Sequence, residues 1–267
     1  MTDFFGGDAL ANLSVRLGPG LLPMVVAFAV CALAVPLMIL LSRRTGMMAN
    51  PGGRHLHLKP TPLLGGVALY AGFAAALLIF LPRYKDTLGV LVVSGLAAVL
   101  LLADDRWHVR AAIKLGLQLV VALLAVFVFG FKIASFGLPG AQLVPLGLLA
   151  VPVTLFWLLG MQNTVNLLDG VDGLAAGVVF IVAVTLMLAA AGLRQVAYVQ
   201  LAAALAGTCA GFLLFNFHPA RIFMGDSGAH FLGAALGLVS IVGVAKVAVA
   251  FALVVPVPPG GQLGRAA

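Results

Sequence analysis

Glutamate is missing from this sequence altogether, and its eight acidic residues are all aspartate. Charge of either sign is scarce, 9% of 267 residues, where soluble domains carry about 25%. With 63% hydrophobic residues and a mean hydropathy of +1.19, that scarcity excludes a soluble fold. Cysteine is nearly absent too. Cys31 and Cys209 each lie inside an apolar run, where a small packing residue is expected rather than a disulfide or a thiolate metal site. There is no GK[ST] tripeptide, so no nucleotide-binding P-loop.

What is present is a series of apolar runs, each near the ~20 residues that a bilayer requires. They predict an all-α, polytopic transmembrane helical bundle. Its spans fall near 21–41, 64–82, 87–103, 113–131, 146–162, 174–192, 196–215 and 228–245, with a partial ninth run after Lys246. Gly and Ala are plentiful within them, as close helix packing in lipid requires. Residues 1–20 hold Asp3, Asp8 and only Arg16, which does not describe a cleavable signal. They read as an extracytoplasmic N-terminal segment. Residues 21–257 read as one membrane domain, and 258–267 as an atypical Pro/Gly-rich tail.

Arg43 and Arg44 directly follow the first run, which sets that end in the cytoplasm and the N-terminus outside. Counting crossings from there places the segments near 42–63, 104–112, 163–173 and 216–227 on the cytoplasmic face. Asp104, Asp105, Asp169, Asp172 and Asp226 fall there. So do all the unusual polar stretches: RHLHLKPTPLLGG, ADDRWHVRAAIK, NTVNLLDGVDG and FNFHPARIFMGDSG. Ionisable residues at membrane helix ends are costly enough to be functional candidates. Four sequence-distant loops on one face predict one composite site. The net charge of +7 suits basic loops near anionic lipid, or an anionic substrate, better than nucleic acid.

Each stretch has a chemical and a plain reading. Asp104 and Asp105 end a helix, where adjacent carboxylates orient a divalent cation or serve as a base; alone they read equally well as a solvated loop. Lys114, ten residues on, is placed to neutralise phosphate. Asn163, Asn166, Asp169 and Asp172 recur every three residues, roughly one face of a helical turn. Their oxygens are hard ligands of the kind Mg²⁺ takes, and Gly170 and Gly173 allow close approach. The plain reading is an Asx-rich turn. Asp226, between two glycines, is either a metal ligand or, with Ser227, an N-cap. His55, His57 and Lys59 form a basic cluster stiffened by Pro60 and Pro62; zinc would need a third ligand that is not evident. His108, His218 and His230 read as local hydrogen-bonding residues.

Basic groups and hard-metal ligands against a bilayer describe movement of a phosphorylated headgroup, with Mg²⁺ screening charge. The combination of ADDRW, NTVNLLDGVDGLAAG and FNFHPARIFMGDSG resembles the polyprenyl-phosphate N-acetylhexosamine-1-phosphate transferases of glycosyltransferase family 4. The match spans about residues 40–245, in order. HLKPTPLLGG and His218-Pro219-Ala220 are similar to the GlcNAc-1-phosphate branch rather than the phospho-MurNAc-pentapeptide branch.

The resemblance implies an enzyme of the bacterial inner (plasma) membrane that opens lipid-linked synthesis of a cell-envelope polysaccharide. Its substrates would be a UDP-N-acetylhexosamine and undecaprenyl or another polyprenyl phosphate, within membrane lipid, and its products UMP and polyprenyl-diphospho-sugar. It implies Mg²⁺, or Mn²⁺ in its place, held by Asn166 and Asp226. It implies Asp104, Asp105 and Lys114 as catalytic residues, and Lys59, Asn163, Asp169, Asp172 and Gly173 as nucleotide- and substrate-binding residues. A homodimer is compatible with it. The family continues through further helices and a loop with an HxHH-type motif, which this sequence lacks. The chain is therefore expected to be a C-terminally truncated relative, whose site lacks one wall. The competing classes are an intramembrane prenyltransferase, which would want DDxxD-like spacing where position 108 is His, and a cation transporter, whose acids would lie mid-membrane.

Overall fold

The computed structural model describes residues 7–49, 60–107, 109–136 and 144–242. Eight α-helices account for most of them: α1 (Gly7–Thr45), α2 (Gly65–Phe80), α3 (Lys85–Trp107), α4 (Ala111–Leu124), α5 (Ala150–Leu168), α6 (Leu174–Gly192), α7 (Val196–Asn216) and α8 (Gly225–Val242). All but α2 are long and apolar enough to cross a membrane, α4 together with the π-helical turn Ala125–Phe129 that continues it. Two short antiparallel pairs, β1 (Met48–Ala49) with β2 (Thr61–Pro62) and β3 (Ser135–Phe136) with β4 (Val144–Pro145), a π-helical turn (Ala125–Phe129) and a 3-10 turn (Gly147–Leu149) complete the described elements. The chain is a multi-pass membrane protein. Leu33, Ile79, Val99, Phe127, Phe156 and Ile181 stand exposed on the outer surface, as lipid-facing residues do. The partial ninth run and the tail lie outside the described residues.

The predicted helices are present, with ends that differ in telling ways. Helix α1 begins at Gly7 and includes Pro19, Pro23 and Pro36, so much of the expected N-terminal segment is helix. Helix α3 carries its hydrogen bonding through Trp107, which puts Asp104 and Asp105 in its last turns. Helix α5 runs to Leu168 and absorbs Asn163 and Asn166 from the expected loop.

Small residues set the helix spacing. Gly207 and Gly211 of α7 lie against the α1 backbone, where added Cβ atoms would sit 2.1 Å from the Met24 carbonyl oxygen and 2.5 Å from that of Phe28. This is the Gly-x-x-x-Gly contact that lets membrane helices pack backbone to backbone. Cys31 and Cys209 are buried free thiols in this core, matching the packing role expected of them. Thr208 Oγ1 donates to the Leu69 carbonyl at 2.7 Å and ties α7 to α2. Helix α8 is enclosed by its neighbours along nearly its whole length. Phe231 of α8 meets Tyr70 and Phe73 of α2 edge-on, each at 5.6 Å.

One end of the bundle gathers the C-termini of α1, α3, α5 and α7 and the N-termini of α2, α4, α6 and α8. Hydrogen bonds between distant segments show this directly. Leu64 N donates to Ser42 Oγ at 3.2 Å. Phe223 N bonds Pro62 O, Gly65 N bonds Phe223 O, and Gly66 N bonds Met224 O, at 2.8, 3.0 and 2.9 Å. The residues after β2 are thus stitched, strand-like, to the segment before α8. The described residues of the four polar stretches expected on one face do share one end of the molecule.

Candidate functional site

Lys114, in the first turns of α4, is the centre of this end. Its Nζ lies 2.8 Å from Asp104 Oδ2 and 2.8 Å from Asp226 Oδ2. The three side chains come from α3, α4 and α8, and all are largely buried. Charges so placed must be paired, and here one ammonium serves two carboxylates. Asp104 Oδ1 accepts Val109 N–H at 2.8 Å, which folds the α3–α4 connection over the pair. Asp226 Oδ1 accepts a short hydrogen bond from Asn166 Nδ2 of α5.

Asp105 does something different. Its two oxygens accept the backbone N–H groups of Asp226 and Ser227, at 2.7 and 3.2 Å. A helix N-terminus leaves its first N–H groups unpaired, with a partial positive charge. A carboxylate from α3 satisfies both needs at α8, so the N-cap role considered for Asp226 or Ser227 belongs to Asp105. The flanking glycines are required by geometry. Gly225 has φ +68°, and a Cβ there would sit 2.7 Å from Asp105 Oδ1. A Cβ on Gly228 would come within 2.8 Å of Gly66 Cα, where α8 crosses α2.

The four Asx residues spaced three apart do not form one face of a site, and that expectation is corrected. Each step of three turns a helix by about 300°, so the set drifts around the axis, and α5 ends at Leu168. Asn166 alone bonds the aspartate cluster. Asn163 Nδ2 donates to Gln118 Oε1 of α4 at 2.7 Å and to Leu159 O at 2.8 Å. Asp169 follows the end of α5. Burial, then the nearby charges of Asp226, Asp105 and Asp172, holds its carboxyl well above the usual carboxylate range. Asp172 faces the α7–α8 loop, where its Oδ2 accepts Ala220 N–H and meets His218 Nδ1, both at 3.0 Å. Gly173, at φ +73°, starts α6.

Two residues not singled out from the sequence hold this arrangement. Buried Asn216 accepts Gly173 N–H at 3.2 Å and donates to Ile222 O at 2.9 Å, joining the two loops beside Asp172. Gln118 is buried and holds Asn163. Its amide inside the apolar run LGLQLVV was a visible signal. His218 bonds locally, as expected. His230 does not, since neither ring nitrogen has a partner among the described residues. Lys59, His55, His57 and His108 lie outside the described residues.

Carboxylates and an amide offer hard oxygen donors, and the electrostatics invite a cation. Asp104 and Asp226 share the ammonium of Lys114, and the charges of Asp226 and Asp105 also act on Asp169. Among the described residues no three His, Cys, Asp or Glu side chains converge as a ready-made metal cage.

Fold and site together define a multi-pass membrane protein with a shared Asp–Lys–Asp cluster at one end of its bundle. A model of glycosyl transferase family 4 matches residues 87–244. The chain is 34% identical over 241 residues to a probable undecaprenyl-phosphate N-acetylglucosaminyl 1-phosphate transferase of Bacillus subtilis, covering 88% of this chain and 67% of that protein. It is 36% identical over 245 residues to a phospho-N-acetylmuramoyl-pentapeptide-transferase of Moorella thermoacetica, covering 82% and 74%. With a decaprenyl-phosphate N-acetylglucosaminephosphotransferase of Mycolicibacterium smegmatis it shares 34% identity over 219 residues, 75% of this chain and 54% of that one. The chain belongs to glycosyl transferase family 4, and its matches span from about half to three quarters of these relatives' lengths.

Proposed function

We propose that this protein transfers N-acetylhexosamine-1-phosphate, with GlcNAc as the sugar, from a UDP-sugar to a polyprenyl phosphate. The observation that carries the reading is Lys114 set between Asp104 and Asp226 at the bundle end, beside apolar helices from which a lipid phosphate can arrive. An oxygen of the lipid phosphate attacks the sugar-side phosphorus of the diphosphate. The bond from that phosphorus to the bridging oxygen breaks, UMP leaves with that oxygen, and polyprenyl-diphospho-sugar stays in the membrane. Such transfer depends mostly on positioning and charge neutralisation.

Asp226 and the amide of Asn166 would hold Mg²⁺, with the amide turned to present its oxygen. The metal would screen the diphosphate and polarise its oxygens. Lys114 adds a second positive charge on the diphosphate. Asp104, freed from Lys114 when the diphosphate takes its place, orients the lipid phosphate and accepts its proton. Asp105 keeps the α8 N-terminus, and so Asp226, in register. Asp172 and Gly173, joined to the α7–α8 loop, form the nucleotide side, with Asp169 between them and the metal. By the family resemblance, Lys59 would contribute to phosphate binding. In a bacterial plasma membrane the positive charge of Arg43 and Arg44, at the site end of α1, favours a cytoplasmic site and an outside N-terminus.

The test is UMP release from UDP-GlcNAc by the purified chain, with undecaprenyl phosphate and Mg²⁺, beside Asp226→Asn. Release that requires lipid and metal and disappears in the variant supports the reading. Release from UDP-MurNAc-pentapeptide alone would move the protein to the other branch, which the 36% identical relative represents. Release of free diphosphate from a prenyl donor, or metal uptake without nucleotide, would overturn it.

A further inference from the structure

Helices α3 and α4 meet at the site end of the bundle, and two hydrogen bonds tie their junction to the Asp104–Lys114 pair. Asp104 Oδ1 accepts Val109 N–H at 2.8 Å. The carbonyl of Arg110, the N-cap residue of α4, accepts the backbone N–H of Lys114 at 3.1 Å. Helix α3 has 23 residues, which at about 1.5 Å each cover the ~30 Å hydrocarbon core with little to spare. Its last residue, Trp107, therefore lies at the level of the lipid headgroups, and the next span starts at Ala111.

Trp107 is 73% exposed. Arg106 and Arg110 are exposed too, and neither has a carboxylate partner among the described residues. Even in a fully extended chain the Cα atoms of residues 106 and 110 would be no more than about 14 Å apart, so the two guanidinium groups serve one small area. From this edge Ile113 and Leu115 begin the exposed apolar surface of α4. A tryptophan flanked by cations, where an apolar surface meets water, has the composition of a membrane interface. The sign of the charge is equally definite. Among the described residues of this end every arginine is exposed, and none of the aspartates is. A free nucleotide would meet the arginines but gain nothing from Trp107 and the apolar edge, whereas an anionic lipid meets both. An acceptor lipid must bring its phosphate to Lys114, which is largely buried. The outward arginines are left for lipids that stay in the bilayer.

We propose that Arg106, Trp107 and Arg110 form a docking site for an anionic phospholipid headgroup, and that an occupied site holds Asp104 and Lys114 in register. The guanidinium groups take the lipid phosphate, and the indole seats in the interface. The second half rests on the reading of Asp104 and Lys114 as reacting groups; the first half does not. Turnover would then follow the anionic lipid content of the bilayer, through the two hydrogen bonds that tie the junction to the pair.

The test uses the full chain in equimolar phosphatidylcholine–phosphatidylglycerol vesicles, with bromine on the acyl chains of one lipid or of the other. Bromine quenches a nearby indole. The signal of Trp107 is the difference between the parent and Trp107→Phe, because the chain has only one other tryptophan. Brominated phosphatidylglycerol should quench Trp107 several-fold more than brominated phosphatidylcholine, since each arginine favours an anionic lipid roughly fivefold. The preference disappears in Arg106→Gln/Arg110→Gln and is kept in Arg106→Lys/Arg110→Lys. On the parent itself it falls as salt is raised, which tests the charge without any substitution. Equal quenching by the two lipids in the parent, or a preference indifferent to salt, overturns the site. A preference abolished by a trace of undecaprenyl phosphate, or by UDP-GlcNAc, gives the arginines to a substrate and overturns it as well. Coupling is read separately, as UMP release at saturating UDP-GlcNAc in vesicles with and without phosphatidylglycerol. The parent's rate rises several-fold with phosphatidylglycerol and that of the glutamine variant does not; an equal response overturns the coupling. A parent that releases no UMP in either vesicle removes the reaction reading and the coupling together, while quenching still decides the lipid site.

Discussion

Asp105 belongs to α3, yet its carboxylate accepts the N–H of Asp226 at the start of α8, 121 residues away. Asp104, its neighbour, points to Lys114 instead. Two adjacent carboxylates thus serve different partners, one backbone and one side chain. Replacing Asp105 by Asn removes the charge that suits a helix N-terminus and one of two good acceptors. The expected cost is about 1–3 kcal/mol, seen as a lower Tm with or without Mg²⁺. Asp104→Asn should instead reduce UMP release strongly while changing the Tm less.

Lys114→Met leaves Asp104 and Asp226 facing one another without the ammonium. Turnover should fall by about 100-fold or more, by analogy with loss of a positioned charge-stabilising donor. Lys114→Arg should not restore it, because a planar guanidinium cannot take the place of a compact ammonium 2.8 Å from both oxygens. Single-turnover UMP release measures both.

Gly66→Ala forces a Cβ to within 2.4 Å of Gly228 N, backbone against backbone. It should destabilise by about 1–3 kcal/mol or more, since neither helix can yield locally. Gly116→Ala in α4 is the control, because nothing lies within 4 Å of its new Cβ. It should be neutral or stabilising by about 0.5–1 kcal/mol. Thermal melts of the two variants should move apart.

Asp169 gives a pH dependence of definite sign. Its folded carboxyl titrates above its unfolded value, first through burial and then through neighbouring carboxylates. The fold therefore favours the protonated form. Its contribution to stability is full below the ordinary carboxylate value of about 3.9 and is lost as the pH rises through the folded value. In a chelator, Asp169→Asn should be more stable than the parent at neutral pH, and the gap should close towards pH 4. A gap that widens on acidification would refute this.

Helix number, and the gathering of four polar stretches at one end, were legible in the sequence because lipid imposes long apolar runs and crossings alternate. Asp104, Lys114 and Asp226 were legible as candidates because ionisable groups at membrane helix ends are rarely idle, while the pairing of Asn166 with Asp226 came from the family resemblance. Other features depend on three-dimensional register. Asn163 has the same spacing from Asn166 as Asn166 has from Asp169. Yet Asn163 turns to Gln118 while Asn166 turns to Asp226, since a step of three rotates a helix off its face. Nothing in the tripeptide ADD says which carboxylate reaches another helix, and nothing near Asn216 says that two loops hang from its amide. The enclosed, unpartnered His230 also departs from local expectation, because its surroundings come from other helices.

The burial of α8 bears on how the molecule is made. Of the seven long helices it is the least hydrophobic and the most enclosed, and it is the last to leave the ribosome of those described. It packs against α2, α3 and α5, where Gly66 leaves room for its backbone, and it brings Asp226 to Lys114 and Asn166. A chain arrested before residue 226 would therefore lack the carboxylate that meets both Lys114 and Asn166 in the proposed site.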